Sequence, residues 1–369
     1  MVRRLLLLNG IAVLGAVINH SSGWGFTAMF WWTDRYLPGP TPNFSQLGSI
    51  SYYGLRLLEQ SIMFSIPAFL FVSGFFIAFA TGRGQDRPGG KVVGSRIKSL
   101  LFPYLLWSLA IFGWRALEGT VDTPTGYFKQ LLFGGAAAPY YYVPLLIQYL
   151  LLSFLLVPLI KHHGKLVLLI VGSIQVIVQL ARYPVLLGWK VEAAAWIVRY
   201  SPGFSILPMI FWFALGIYAG FHLPALKGWL EHWKRILPAI TVILALLAFA
   251  EWEFLFKLSG ASWLSPTVTI FDSLYSGAFI LTFLAWGSMA LPFDARLSGL
   301  GTKSFGVYLM HAPVLELGSR ALYHLSPWVL AHQAAFQALL IVIGVAIPLL
   351  VMGLVDRSPV RAYYSYIFG

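Results

Sequence analysis

Apolar residues run along this chain in blocks of roughly 18 to 25, with short polar stretches between them, and that is the length one helix needs to cross a hydrocarbon layer. The blocks fall near residues 4–22, 57–82, 99–118, 141–160, 166–183, 203–222, 237–256, 267–290, 304–324 and 331–354. The pattern predicts an all-α fold, a polytopic membrane bundle of about ten transmembrane helices. No stretch is left over for a soluble domain, so residues 1–369 are expected to form a single transmembrane unit.

Composition strengthens this reading. Hydrophobic residues make up 59% of the chain and charged residues 10%, and the mean hydropathy is +0.77. A water-soluble domain of this size is far less apolar. The net charge of +12 would by itself suggest a nucleic-acid partner, but the distribution of cations argues for topology instead, and no nucleic-acid partner is expected. With the N-terminus inside, the inner loops hold Arg3, Arg4, Arg83, Arg87, Lys91, Arg96, Lys98, Lys161, Lys165, Lys227, Lys234, Arg235, Arg296, Lys303, Arg357 and Arg361, or 16 of the 25 basic residues. Both termini are therefore expected in the cytoplasm of a multi-pass protein of the cell membrane. Two arginines before an apolar run look like a secretory signal, but no small-residue cleavage site follows and His20 lies near the run's end, so the run is expected to be a retained first span. The absence of cysteine excludes disulfides, cysteine–zinc sites and thiol nucleophiles, and no metal site is expected.

Two polar segments are longer than simple turns. The expected extracytoplasmic segment, residues 23–56, is rich in aromatic residues, Gly and Pro, and reads as a lid or interfacial cap. The expected cytoplasmic segment, residues 82–98, reads GRGQDRPGGKVVGSRIK, five cations against one acid. It suits an anchor near anionic lipid or a phosphate clamp for a cytosolic cofactor.

Ionisable groups inside spans are costly and mark functional positions. His20 lies about 16 residues into the first span, roughly 24 Å up from the cytoplasmic side. An imidazole there can serve as general base toward a molecule arriving from outside, or simply touch headgroups at the interface. Glu59, Glu251, Glu253, Asp272 and Glu316 recur at a similar predicted depth, which suggests a polar cavity. Glu251 and Glu253, two apart, point to different sides of a helix, so at least one is expected to pair with a cation such as Arg115 or Arg320, or to reach water. His311 falls roughly 10 Å from the cytoplasmic side, and is expected to serve a different part of a tunnel from His20.

Four segments together resemble the acyltransferase 3 family of integral membrane acyltransferases, which O-acylate sugars on extracytoplasmic glycans. NGIAVLGAVINH (Asn9 to His20) resembles that family's first span with its terminal histidine; FSIPAFLFVSGFFIA (Phe64 to Ala78) its second; SRIKSLLFPYLLWS (Ser95 to Ser108) the basic run that opens its third; and KSFGVYLMHAPVLEL (Lys303 to Leu317) its late Tyr-Leu-x-His-x-Pro segment. YYYVPLLIQYLLLSFLLVP is similar to the fourth span. Order and spacing over nearly the whole chain carry the resemblance. It implies that His20 is the catalytic histidine, that Arg96 and Lys98 help hold a cytosolic acyl donor, and that Ser73 and Gly74 line the route between. The chain departs from the family at Asn9, where an arginine is usual, and at Ser99, where a second arginine after Arg96 is usual. Arg3, Arg4 and Lys98 are the nearby cations available to compensate.

The chemistry this implies uses acyl-CoA as co-substrate, carrying acetyl or another short acyl group, with no bound cofactor. The acceptor would be an extracytoplasmic carbohydrate or lipid-linked glycan. A sugar hydroxyl has a pKa far above neutrality, so its attack on a thioester carbonyl needs a base, and His20 suits that task. Glu59 is the first choice to orient the ring. Oxyanion stabilisation would fall to Tyr308, Trp107 or Asn19, although Tyr308 and Trp107 also fit interfacial anchors. Tyr308 and His311 are placed on the donor side, and Asp272, Glu316, Glu251 and Trp24 on the acceptor side. Ser73-Gly74 lacks the strand-to-helix elbow of a nucleophilic serine. Direct transfer and transfer through an acyl-histidine both remain open. A transporter or flippase also needs many spans and intramembrane ionisable groups, but no inverted repeat is visible. A glycan polymerase is thinly supported by Arg35 and Arg56 alone in the longest outer segment.

Overall fold

The computed structural model describes residues 2–82, 84–264, 267–287 and 293–369. Arg83, one of the expected inner-loop cations, and residues 288–290 of the expected eighth span lie outside the described residues. Among those described the chain is helical throughout, with no strand. The helices are α1 (Val2–Phe30), α2 (Ile50–Ser61), α3 (Ser65–Thr81), α4 (Gly90–Leu117), α5 (Pro124–Phe133), α6 (Tyr142–Leu186), α7 (Glu192–Tyr200), α8 (Ile210–Phe221), α9 (Leu223–Trp233), α10 (Leu237–Ser259), α11 (Ile270–Ala285), α12 (Asp294–Thr302), α13 (Ser304–Leu325), α14 (Gln333–Asp356) and α15 (Tyr364–Phe368).

Six helical stretches among the described residues are long and apolar enough to cross a membrane, and a seventh arises if Leu207–Phe221 and Leu223–Trp233, bent by 102°, count as one span. The sequence pattern led to about ten, a number these helices do not reach on length and composition. Part of the difference lies in α6. Its backbone leaves helical geometry at His163, and the two legs run back along the same neighbour. Tyr149 in the first leg donates to the Ile206 carbonyl at 2.6 Å, and Gln175 in the second accepts from the Phe211 amide at 3.3 Å, both near the start of α8. Gly164, at the break, faces the Tyr218 ring near the other end of α8. One helix by length is therefore a hairpin by packing.

Two expected segments are shorter than their sequence suggested. Helix α1 continues to Phe30 and α2 starts at Ile50, so the segment expected over 23–56 reduces to residues 31–49 with a short 3-10 turn at Thr33–Arg35. Likewise α4 begins at Gly90, so Lys91, Arg96 and Lys98 belong to a helix and not to a free basic loop. Helices propagate cheaply once nucleated, and polar residues beyond an apolar run do not stop them.

Helix α1 is the hub, packed against α2, α3, α12, α13 and α14. Its approach to α12 relies on two glycines. A Cβ on Gly10 would sit 2.0 Å from the Leu297 carbonyl oxygen, and one on Gly301 would sit 1.9 Å from that of Leu6. The α3–α8 crossing repeats the device, with Gly74 against the Phe213 carbonyl (2.1 Å) and Gly216 against that of Phe71 (2.0 Å). In lipid, where apolar surface gains little by leaving the solvent, close backbone approach through small residues is a principal source of helix attraction.

Candidate active site

Proline shapes the site locally. Pro67 cannot donate to the Met63 carbonyl one turn back, and the chain breaks between α2 and α3 there. The break leaves Glu59, Ile62 and Met63 facing a cavity of about 370 Å³ whose wall also contains Asn19, His20 and Arg182. Pro313 in α13 similarly leaves the Leu309 carbonyl without its helical donor. The Tyr140 hydroxyl supplies the missing bond at 2.6 Å.

A second cavity, of about 200 Å³, is lined by Asn9, Ser73, Arg96, Ser99 and Ser304 among others. The two cavities share Phe69, Tyr142 and Tyr308 in their walls. Asn9 and His20 are eleven residues apart on α1, so the levels they mark are separated by about 16 Å. A chamber with Arg96 in its wall thus lies behind a larger, mostly apolar chamber with His20, Glu59 and Arg182 in its wall, with three aromatic side chains at the junction.

The structure corrects the expected separation of the histidines. The His20 and His311 rings are 5.2 Å apart. The depth reasoning failed because it started α13 at the membrane surface. Contacts of α12 with α1 place Gly301 beside Leu6 and Gly10, so α13 starts well above the beginning of α1. Counting ten residues onward from Gly301 to His311, and a like number from Gly10 to His20, brings both rings to one level. His311 is fully buried. Its Nδ1 lies 2.6 Å from the Tyr308 carbonyl oxygen, which assigns the proton to Nδ1. Nε2 is then a buried acceptor, and it has no hydrogen-bond partner.

The carboxylates divide. Glu59 lines the larger cavity and is ion-paired with buried Arg56; Glu253 lies 3.8 Å from the same guanidinium and accepts from the Tyr52 hydroxyl at 3.1 Å. Glu251 accepts from the Tyr183 hydroxyl at 2.6 Å and from the Phe271 amide at 3.1 Å. Asp272 completes a capping box with Thr269 at the start of α11 and accepts from Gln60 at 2.8 Å. The expected partners Arg115 and Arg320 are therefore not those of Glu251 or Glu253. Glu316 stands apart, bound to Arg320 at 2.9 Å, which also holds Glu118 at 2.8 Å. Of the five acids, Glu59 alone lines either cavity. Asp272, Glu251 and Glu316 are committed to helix ends and surface pairs, and Trp24 packs against Trp32 with ring centroids 5.3 Å apart.

Other expectations sort in the same way. Arg96 and Ser73 line the smaller cavity, and the two family departures, Asn9 and Ser99, line it too. The Asn9 side-chain oxygen is buried and unpartnered. Lys98 is exposed and lines neither cavity. Arg3 is paired with Asp294 at 3.1 Å, and Arg4 donates to the Phe283 carbonyl at 3.1 Å, so none of the three compensating cations reaches the chamber wall. Gly74 faces α8 and not the route between chambers. The Tyr308 hydroxyl donates to the Pro139 carbonyl and Trp107 Nε1 to that of Ile367 at 3.0 Å. Both are occupied, which leaves Asn19 beside His20 as the free amide of the three oxyanion candidates. Sequence reasoning missed Arg182 and Tyr141 in the larger cavity; Arg182 sits near the end of an apolar run, where a cation looks interfacial.

No curated protein and no solved structure matches the chain. A family model described as an acyltransferase domain matches residues 4–353. That match spans nearly all of the helices that build the two chambers. The chain belongs to the acyltransferase 3 family and is a membrane-embedded acyltransferase.

Proposed function

We propose that this protein moves an acyl group from acyl-CoA, held on the Arg96 side, to a hydroxyl of a glycan that enters on the His20 side. The observation that carries the reading is the pair of chambers meeting at Phe69, Tyr142 and Tyr308. The smaller offers a guanidinium to phosphate, and the larger offers an imidazole to a hydroxyl. The cation distribution supports a cytoplasmic location for the Arg96 side, where acyl-CoA is made, in the cell membrane.

In this mechanism the acceptor oxygen attacks the thioester carbonyl while His20 takes its proton. The carbon–sulfur bond then breaks, the thiolate of coenzyme A leaves, and the proton held on His20 returns to sulfur. The Asn19 amide is the donor available to the developing oxyanion. We assign the orienting role to His311 in place of Glu59: its unpartnered Nε2 lone pair, on a ring 5.2 Å from that of His20, is the acceptor available to one His20 nitrogen once substrate is bound, which would leave the other free as base. Glu59, neutralised by Arg56, offers an acceptor atom to the incoming hydroxyl.

The test is turnover of labelled acetyl-CoA by purified protein in liposomes. His20→Ala is expected to abolish turnover, and His311→Ala to lower kcat by about 10²-fold or more with a smaller change in KM. Undiminished turnover in His20→Ala overturns the mechanism, and movement of a glycan without acylated product assigns the chamber to transport.

A further inference from the structure

The acids around the larger cavity are bound by groups other than Arg182, and two of them share one cation. Glu59 is held by Arg56, Glu253 by Arg56 and Tyr52, Glu251 by Tyr183 and the Phe271 amide, and Asp272 by Gln60 and Thr269. Arg182, in the second leg of α6, lines the same cavity, partly buried, with no acidic partner among the described residues. The residues not described are Met1, Arg83, Ser265, Pro266, Ser288, Met289, Ala290, Leu291 and Pro292, and none of them is an acid. Arg182 is therefore a cation in the cavity wall with no acid bound to it among the described residues.

Such a charge is costly to keep away from bulk water without a counter-charge. A guanidinium offers a planar fork of donors that matches a carboxylate or a phosphate two bonds at a time. The Tyr141 phenol, the Asn19 amide and the Thr267 hydroxyl share the cavity wall, and they suit the neutral hydroxyls of a sugar. We propose that the larger cavity selects an anionic acceptor, a saccharide bearing a carboxylate or phosphate, and that Arg182 binds its anionic group. That the anion is attached to an acyl acceptor rests on the acyl-transfer reading; that Arg182 binds an anion does not.

The experiment is direct binding of radiolabelled glucuronic acid, glucose 1-phosphate and glucose to the purified full-length chain in nanodiscs. At least one anionic sugar is expected to bind about tenfold or more tightly than glucose. The two anions distinguish a carboxylate from a phosphate acceptor. Arg182→Gln is expected to remove the discrimination and Arg182→Lys to retain part of it, each checked by elution volume and melting temperature so that misfolding is not read as loss of the site. Equal affinity for charged and neutral sugars, no saturable anion binding, or discrimination that survives in Arg182→Gln overturns the proposal. Acetyl-CoA turnover in His20→Ala is measured separately. Arg182-dependent anion binding without His20-dependent turnover leaves the anion site standing and removes the acyl-transfer reading, and the converse result does the opposite.

Discussion

The Arg56 cluster lends itself to a quantitative test because two carboxylates depend on one cation. Arg56 is 2% exposed, contacts Glu59, lies 3.8 Å from Glu253, and has its guanidinium carbon 5.0 Å from the Trp252 ring centre. At the 3.8 Å between Arg56 and Glu253 and an effective dielectric near 20, a pair of unit charges interacts by about 4 kcal/mol. Arg56→Met removes the shared cation and leaves both acids facing a desolvated gap, which costs about 3–5 kcal/mol. Glu59→Gln leaves Arg56 with Glu253 and keeps an amide to accept from the guanidinium, so the expected loss is about 1–2 kcal/mol. The double variant should be less damaged than the sum of the two, because neutralising Glu59 removes half of what Arg56→Met strands. Intrinsic tryptophan fluorescence during thermal unfolding in one detergent ranks the three proteins. The reasoning is refuted if Glu59→Gln melts at or below the temperature of Arg56→Met, or if the two losses add. The same Glu59→Gln protein, assayed for acetyl-CoA turnover, should lose proportionately more activity than stability, since Glu59 faces the cavity while Arg56 supports it from behind.

Two further substitutions probe how the chambers are built. Gly301→Ala puts a methyl group into the Leu6 carbonyl and should cost about 1–3 kcal/mol by forcing α1 and α12 apart; a melting temperature equal to wild type would show that the two helices do not cross this closely. Tyr140→Phe removes the donor that the Leu309 carbonyl receives beside Pro313. The expected loss is about 1–3 kcal/mol for an orphaned buried acceptor, read as a lower melting temperature, and unaltered stability would mean that another donor reaches that carbonyl.

Much of the machinery was legible in the chain itself. His20 stood out because ionisable residues are rare in apolar runs, Arg96 through the basic segment 82–98 and the family resemblance, and both line cavities, at different levels. The Asn9 and Ser99 departures were visible as well, and the structure turns them from isolated differences into neighbours on one wall. Glu251, Asp272 and Glu316 were visible for the same reason as His20, but their tasks were not, because a carboxylate that caps a helix end and one that faces a substrate have the same hydropathy. Arg182 was hidden by the opposite effect: a cation near the end of a run matches an interfacial anchor until a neighbouring helix shows that it lines a cavity.

The helical class and the membrane setting follow from the sequence alone, because apolar run length and composition are local properties and lipid leaves a backbone no option but internal hydrogen bonding. The turn of α6 at His163 falls in the gap that the sequence leaves between the runs at 141–160 and 166–183, whereas tertiary structure alone decided that α12 lifts the start of α13 well above the start of α1. Depth counted along a chain assumes that every helix begins at the membrane surface, and one helix packed through Gly10 and Gly301 was enough to bring His20 and His311 together.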